Sequence, residues 1–129
     1  MKKIKNTGTL AFLTVAVLFL FAAGSALGQA GTSGISGTVT DQASAAVPGA
    51  TVRLSNPATG FSRSVTTNSD GKYGFPGIPP ATYRLEVEAA SFKKLVNSSV
   101  KALVDSPIEV HLALEPGDVT AVVDVTSNT

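Results

Sequence analysis

The stretch Thr66–Ala90, TTNSDGKYGFPGIPPATYRLEVEAA, holds a tight turn, a short aromatic strand, a proline corner and a long alternating strand. In Asn68–Gly71 the short polar side chains can bond to their own backbone, and Gly71 can adopt the positive φ that a hairpin loop with a bulge requires. Proline cannot donate to a sheet ladder, so the strand that contains Phe75 is expected to end at the prolines that follow it, Pro76, Pro79 and Pro80. This order of elements indicates a β-sandwich.

Apolar and polar residues alternate cleanly from Thr82 onward. One set is predicted to point inward and the other outward, namely Tyr83, Leu85, Val87 and Ala89 against Thr82, Arg84, Glu86 and Glu88. Alternation with a period of two is typical of a strand with one buried and one solvated face. The segment therefore predicts a strand that borders a hydrophobic core.

The same pattern recurs along the rest of the chain. Further strands are predicted at 35–40, 50–55, 61–67, 92–100, 108–114 and 119–126, with turn residues between them. The strand at 61–67 is less regular because Arg63 interrupts the apolar face of Phe61 and Val65. Seven or so short strands, with a turn about every eight to twelve residues, are typical of a sandwich. No segment after residue 30 shows the period of about 3.6 that indicates a helix.

The first thirty residues have the pattern of an export signal. Met1–Thr9 carries three lysines and no acid, and Leu10–Ala23 is an almost unbroken apolar run of about 14 residues. A spanning helix needs about 20 apolar residues, so a membrane anchor is the weaker interpretation. Small residues predict cleavage after Ala30, while Ala26 and Gly28 fit the same rule and leave the cleavage site open by two residues.

Removal of this leader changes the sign of the net charge. Three of the ten basic residues and none of the nine acidic residues precede residue 31, so the mature chain carries seven basic against nine acidic residues, a net charge of −2. It has no basic stripe, and nucleic acid is not expected as a partner. Lys93 and Lys94 alone are too few for a membrane-surface patch. With no cysteine in the chain, a domain of about 100 residues must be held together by its core.

Four sequence blocks carry a resemblance to a known family. They are ISGTVTD at 35–41, VPGATV at 47–52, TNSDGKYGF at 67–75 and IPPATY at 78–83. In order and spacing they resemble the successive blocks of carboxypeptidase regulatory-like domains, over about Gly34–Leu114. The resemblance implies an all-β fold, a seven-stranded transthyretin-like (prealbumin-like) β-sandwich after a helical signal peptide. The expected division is a signal peptide at 1–30, the regulatory-like sandwich at 31–117, and a C-terminal strand and tail at 118–129.

The resemblance also implies a context for the chain. Domains of this family accompany the catalytic domain of metallocarboxypeptidases and form the N-terminal extension of bacterial TonB-dependent outer-membrane receptors, without an active site of their own. A signal peptide directly before the domain resembles the receptor group most. The implied location is the periplasm or the outer membrane, and the implied partners are receptor components or another periplasmic protein.

The chain departs from the family pattern at two places. Ala81 stands where the family usually has glycine, and this predicts a shift of the proline corner, since alanine does not easily take a positive φ. The sequence also stops at Thr129, before the membrane part of such a receptor. A transport function therefore does not carry over to this chain alone, and a truncated or split receptor is one expectation.

Few residues suggest chemistry. His111 is the single histidine and is predicted to face outward between Val110 and Leu112, so neither a hydrolytic triad nor a zinc site is expected. Asn68 and Asp70 offer oxygen atoms in one loop and are weak calcium candidates, although turn chemistry explains both residues. No enzyme activity, no cofactor and no catalytic residue is predicted.

The aromatic residues allow two interpretations. An exposed aromatic platform would bind a sugar or a peptide, whereas the phase of these rings with the apolar positions of the strands favours a place in the core. The core interpretation is the stronger one for Tyr73, Phe75, Tyr83 and Phe92.

Three hypotheses for function follow. The first is a non-catalytic exported accessory or interaction domain, similar to the N-terminal extension of a TonB-dependent receptor. The second is a structural or adhesive surface domain resembling the Cna-B type, and the third is a carbohydrate-binding module or an enzyme. A further clue is the hydrophobic stretch Val119–Val125, which is able to add as a strand to a partner sheet or to this domain's own sheet.

Overall fold

The computed structural model describes residues 31–125, and the predicted signal peptide and the last four residues lie outside the described part. Within residues 31–125 the chain forms strands and no helix, and therefore no helix that is long and apolar enough to cross a membrane. The strands are β1 Ser33–Thr40, β2 Thr51–Asn56, β3 Phe61–Thr66, β4 Lys72–Ile78, β5 Ala81–Glu88, β6 Lys94–Ala102, β7 Ile108–Glu109, β8 Leu112–Ala113 and β9 Val122–Asp124.

The strands form two sheets. One has the order β4-β1-β7, with β8 also paired to β1, and the other has the order β3-β2-β5-β6-β9. This confirms the predicted all-β sandwich. Nine strand segments appear rather than seven, because the predicted strand 108–114 is divided in two and the C-terminal strand joins the larger sheet.

The core lies between the two sheets. In β5 the predicted inward residues are buried, with Tyr83 1%, Leu85 0% and Val87 0% exposed. Each such side chain contributes roughly 1.5–3 kcal/mol through burial. The other fully buried large side chains come from both sheets and from the residue that follows β8. They include Ile35, Val39, Val52, Leu54, Phe75, Ile78 and Leu114.

The turn at Asn68–Gly71 was predicted correctly, but its role as a hairpin loop was wrong. Gly71 has a φ of 71°, and its N–H donates to the carbonyl of Asn68 at 2.9 Å. However, β3 pairs with β2, whereas β4 pairs with β1 in the other sheet. The turn therefore carries the chain from one sheet to the other. The Thr67 hydroxyl holds the end of β3, since it donates to the Val47 carbonyl at 2.7 Å and accepts from the Ala50 N–H at 2.9 Å.

The predicted end of a strand at Pro76 was also wrong, because β4 continues to Ile78. Pro76 lies on an edge strand beside a β-bulge in the pairing with β1, and these are the positions where a sheet tolerates proline. Its carbonyl accepts a hydrogen bond from Arg63 Nη1 at 3.0 Å. The Arg63 guanidinium also lies 5.4 Å from the centre of the Phe61 ring. The residue that interrupts the apolar pattern of β3 thus joins the neighbouring edges of the two sheets.

Tyr83 closes the proline corner. Its hydroxyl donates to the Pro79 carbonyl at 2.6 Å, and its ring meets the Phe61 ring edge to face at 5.5 Å. Ala81 does not take a positive φ; the positive φ in this region belongs to Gly77, at 63°. The departure at Ala81 is therefore accommodated, because the glycine before the corner supplies the conformational freedom.

The segment 108–114 was predicted as one strand, and the structure divides it at Val110. The Val110 N–H donates to the Ser36 carbonyl at 2.7 Å, while its own carbonyl points at Gly37. A Cβ at Gly37 would overlap that carbonyl. The Tyr73 hydroxyl donates to the same oxygen at 2.6 Å. Only glycine at position 37 leaves room for the Val110 carbonyl, and it therefore allows both β7 and β8 to pair in parallel with β1.

The turn at Ala89–Phe92, where Ser91 has a φ of 70°, leads into β6 as predicted.

The C-terminal strand differs from the expected strand 119–126. Within the described residues the last strand is only Val122–Asp124, and it pairs in parallel with the first residues of β6. The stretch therefore adds to this domain's own sheet.

Replacement of Gly37 by alanine is expected to destabilise the fold by about 3 kcal/mol, because the new methyl group must displace the Val110 backbone. Gly74→Ala is the matched control in the paired strand, since its nearest neighbour would be the Ser36 Cβ at 4.0 Å. The control should change stability by less than about 1 kcal/mol. Guanidinium unfolding followed by circular dichroism measures both values, and similar losses for the two variants would contradict the role of Gly37.

Alkaline pH is expected to destabilise the fold through Tyr73. Burial, and secondarily the charge of Glu109, raises the pKa of Tyr73 above its ordinary value. Because the folded-state pKa is raised, this stability is complete below the unfolded pKa of about 10 and declines as the pH rises above it. In Tyr73→Phe the free energy of unfolding near neutral pH should fall by about 1 kcal/mol, because the hydrogen bond to the Val110 carbonyl is lost. The free energy of unfolding of this variant should also decline less steeply at alkaline pH. Free energies of unfolding measured from about pH 7 to about pH 11 test this role of Tyr73. The same slope of free energy against pH in the variant and the unmodified chain would count against the role.

Candidate interaction surface

His111 has the exposed position that the sequence predicts. Its side chain is 64% exposed, and Nε2 lies 3.4 Å from Glu109 Oε1, which is itself 66% exposed. Within residues 31–125 no hydrogen bond links His111 to a serine, threonine or tyrosine hydroxyl. Both side chains are therefore largely in contact with solvent.

Asn68 and Asp70, the weak calcium candidates, lie in the turn between β3 and β4. Asn68 Oδ1 accepts the backbone N–H of Asp70 at 3.0 Å and that of Lys72 at 2.9 Å. The amide oxygen of Asn68 therefore already closes the turn. In the described part of the chain no three His, Asp or Glu side chains converge as a metal site would require.

The aromatic residues lie in the core, as the stronger interpretation predicted. Tyr73 is 6% and Phe75 0% exposed, and their rings meet edge to face at 6.1 Å. Phe92 is half-buried and packs against the core cluster. The rings do not form a flat exposed platform, although Phe61 and Tyr83 contribute to a shallow cleft of about 350 Å³ beside Pro79 and Pro80.

The outer face of the larger sheet carries paired charges. Arg84 Nε lies 2.8 Å from Glu86 Oε1, and Lys94 Nζ lies 2.9 Å from Glu88 Oε1 and 3.6 Å from Glu86 Oε2. The hydrogen bond to Glu88 is the main cause that raises the pKa of Lys94. These four charged residues pair with one another, while Arg53 on the same face donates from Nε to Ser62 Oγ at 3.2 Å, and such an exposed polar row is typical of a solvated strand face.

Residues 115–125, which we call the C-terminal strip, are attached along the start of β6. The Lys93 N–H donates to the Glu115 carbonyl at 2.8 Å, and the Gly117 N–H donates to the Ser91 carbonyl at 3.0 Å. Lys93 Nζ lies 3.3 Å from Glu115 Oε2. Gly117 rests on the aliphatic part of Lys93, where a Cβ would stand 2.7 Å from its Cγ. Backbone bonds, an ion pair and close packing thus fix the strip where it leaves the sandwich.

A tight turn then directs the strip into β9. The Thr120 N–H donates to Asp118 Oδ1 at 3.1 Å, which lowers the pKa of that carboxyl group, and the Ala121 N–H donates to the Asp118 carbonyl at 2.9 Å. On the far side of the turn the Lys94 N–H donates to the Ala121 carbonyl at 2.9 Å. Three apolar side chains of the strip remain at the surface, with Val119 42%, Val122 61% and Val125 37% exposed.

The C-terminal strip is the surface feature that combines a defined backbone with exposed apolar side chains. The sequence indicated the apolar stretch but not its attachment, because Lys93 and Glu115 are 22 residues apart and neither forms part of a recognisable motif. An edge strand with exposed valines is chemically suited to contact another protein, through main-chain hydrogen bonds and apolar packing.

Comparisons with known proteins agree with this fold. The pattern of the carboxypeptidase regulatory-like domain matches residues 34–115, and it describes a regulatory-like rather than a catalytic domain. The TonB-dependent transporter Oar of Myxococcus xanthus is 31% identical over 94 residues, which cover 72% of this chain and 9% of the transporter. The chain therefore spans less than a tenth of the length of this relative.

Solved structures share the fold at low sequence identity. A protein described as carbohydrate binding from Bacteroides uniformis has a TM-score of 0.56 at 16% identity, over 67% of this chain and 42% of that one. A streptococcal ancillary pilin has a TM-score of 0.52 at 16% identity, over 66% and 32%. A catechol 1,2-dioxygenase from Acinetobacter radioresistens has a TM-score of 0.52 at 16% identity, over 82% and 58%. These likenesses show the sandwich alone.

The match over residues 34–115 includes all four sequence blocks and β1 to β8 of the sandwich. The chain belongs to the carboxypeptidase regulatory-like domain family.

Proposed function

We propose that this chain is a non-catalytic, exported accessory domain of a TonB-dependent transporter system, located on the periplasmic side of the outer membrane. The similarity to the N-terminal region of such a transporter supports this proposal. Export requires the leader at residues 1–30, which we propose is removed near Ala30. The sandwich at 31–117 then acts as a folded module, and residues 118–129 connect it to its partner.

The C-terminal strip is the observation on which the proposal depends. The family match ends at residue 115, where the strip begins, and the strip continues for eleven residues attached to β6. A connection that is bonded to the domain transmits orientation, whereas a free linker does not. The strip therefore supports a module held in a defined position against its partner, with the exposed Val122 at the contact.

The surface chemistry supports a role without catalysis or a metal. His111 is exposed beside Glu109, and Asn68 Oδ1 is used within its own turn. The buried tyrosine hydroxyls are bonded to backbone carbonyls of the fold. Asn68 and the two tyrosines therefore have structural roles, while His111 lies at the solvent-exposed surface.

An adhesive or carbohydrate-binding role is the alternative. It rests on likenesses of the fold, at 16% identity, to a pilin and to a protein described as carbohydrate binding. The cleft of about 350 Å³ beside Phe61 and Pro80 is the place where a sugar ring would bind. A glycan that raises the melting temperature of the chain, and fails to do so after Phe61→Ala, would favour this alternative.

The proposal is tested by photo-crosslinking in the native cell. A photoreactive residue at Val122, on the strip, is compared with one at Ser64, which is exposed on the opposite edge strand β3. Crosslinks from position 122 to a TonB-dependent transporter or another component of that system are expected. Crosslinks from position 64 should be at least about tenfold weaker, because that edge lies across the sheet from the strip.

Gly117→Ala provides a matched structural control for this experiment. The added methyl group should displace the Lys93 side chain, loosen the strip and weaken the crosslink from position 122. Equal crosslinking from positions 64 and 122, or exclusively unrelated partners, would argue against the proposed function.

A further inference from the structure

The first described residues of the chain are bound by the loop between β6 and β7. The Asp105 N–H donates to the Thr32 carbonyl at 3.1 Å, and the Ser33 hydroxyl donates to the Ser106 carbonyl at 3.4 Å. β1 begins at Ser33, directly after the first of these contacts. Both contacts lie within three residues of Ala30, the residue near which we propose that the leader is removed.

Residues 103–106 of this loop, which we call the N-terminal site, form a tight turn. The first and last residues of the turn make an isolated antiparallel bridge, and Asp105 between them has a φ of 51°, in the left-handed region that few non-glycine residues adopt. Gly31 lies against the same turn, where a Cβ would overlap Cγ1 of Val104. The turn therefore leaves no room for a side chain at position 31 unless Val104 moves.

The carboxylate of Asp105 is the charged group of the N-terminal site. A Cβ at Gly31 would stand 3.9 Å from Asp105 Oδ1. Because the nitrogen and the Cβ of one residue are about 2.5 Å apart, the Gly31 nitrogen lies within about 6.5 Å of this oxygen. Among residues 31–125 no Lys, Arg or His side chain forms an ion pair with Asp105. Asp105 is exposed, so rotation of its side chain can bring the carboxylate to the Gly31 nitrogen.

We propose that the N-terminal site binds the α-ammonium group that removal of the leader creates on Gly31, with Asp105 as its ion-pair partner. The inference rests on the proposed export and processing of the chain. A signal protease of the cell hydrolyses the Ala30–Gly31 peptide bond with water. The carbonyl carbon of Ala30 takes the oxygen of the water and becomes a carboxylate, and the nitrogen of Gly31 takes both protons and becomes an ammonium.

The position of the cut decides whether this ion pair forms. The sequence also fits a cut after Gly28 or after Ala26, and these cuts place the new ammonium two or four residues before Gly31. Two extended residues span roughly 7 Å and four span roughly 14 Å. In both cases the nitrogen of Gly31 remains an uncharged amide, and the ammonium is not fixed beside Asp105. The N-terminal site thus distinguishes a chain that begins at Gly31 from a longer one.

The intact mass of the chain, measured after export by its own leader, is the first test. A chain that begins at Gly31 is expected. A mature chain that begins at Leu27 or Gln29 would overturn the N-terminal site and leave the proposed export in place. A chain that keeps residues 1–30 would overturn the proposed processing, and the N-terminal site with it.

Acylation of the mature chain tests the ion pair itself. A carboxylate beside an amine favours the protonated form, which does not react with an N-hydroxysuccinimide ester at neutral pH. In Asp105→Asn the Gly31 amine is therefore expected to react at least about threefold faster than in the unmodified chain, as measured by peptide mass spectrometry. Asparagine also tolerates the left-handed φ at this position, so the variant keeps the turn.

Asp70→Asn is the matched control for this experiment. It removes one negative charge from an exposed turn before β4, whereas Ser33 pairs with Ile78 at the other end of that strand, so the rate at Gly31 should not change. The effect of Asp105→Asn should fall below about 1.5-fold in about 1 M sodium chloride, because salt screens exposed ion pairs. Equal rates in Asp105→Asn and the unmodified chain, an equal increase in both variants, or an effect that salt leaves unchanged would overturn the proposal.

Discussion

The close approach of the Val110 carbonyl to Gly37 is the contact on which the architecture depends. It lets the chain enter the smaller sheet twice, as β7 and β8, on the same side of β1. The hydroxyl of Tyr73 donates to this carbonyl, so the Val110 oxygen has a hydrogen-bond partner where the strand is interrupted. Because β8 then delivers Leu112 and Leu114 to the core, the same contact also sets the place from which the C-terminal strip starts.

The proposed function rests on the C-terminal strip rather than on a constellation of reactive groups. Arg84, Glu86, Glu88 and Lys94 form ion pairs on the larger sheet, and the tyrosine hydroxyls donate to backbone carbonyls within the fold. The strip instead combines backbone attachment to β6 with exposed valines. These features suit the proposed role of a module that is held in position against a partner.

The sequence correctly predicted the features that depend on the local pattern of residues. It did not predict the features that depend on contacts between residues far apart in the chain. The alternation of β5 was confirmed residue by residue, because one buried face imposes a period of two. The turn at Asn68–Gly71 was recognised from its own chemistry, but which strand β4 pairs with is a long-range property. Pro76 was misjudged because its tolerance depends on an edge position that only the finished sheet defines. Likewise, no local signal connects Lys93 with Glu115, although that pair fixes the strip.

The edge strands on the two sides of the sandwich are protected in different ways. On one side β3 and β4 are edges in different sheets; Pro76 and a hydrogen bond from Arg63 to the Pro76 carbonyl make that side unsuitable for a further strand. On the other side β9 pairs with only the first three residues of β6, and its own side chains are mostly exposed. A short parallel strand with little burial has a low free energy of local opening. Proteins often recruit binding elements from such regions, so the β6 side fits the partner contact that we propose.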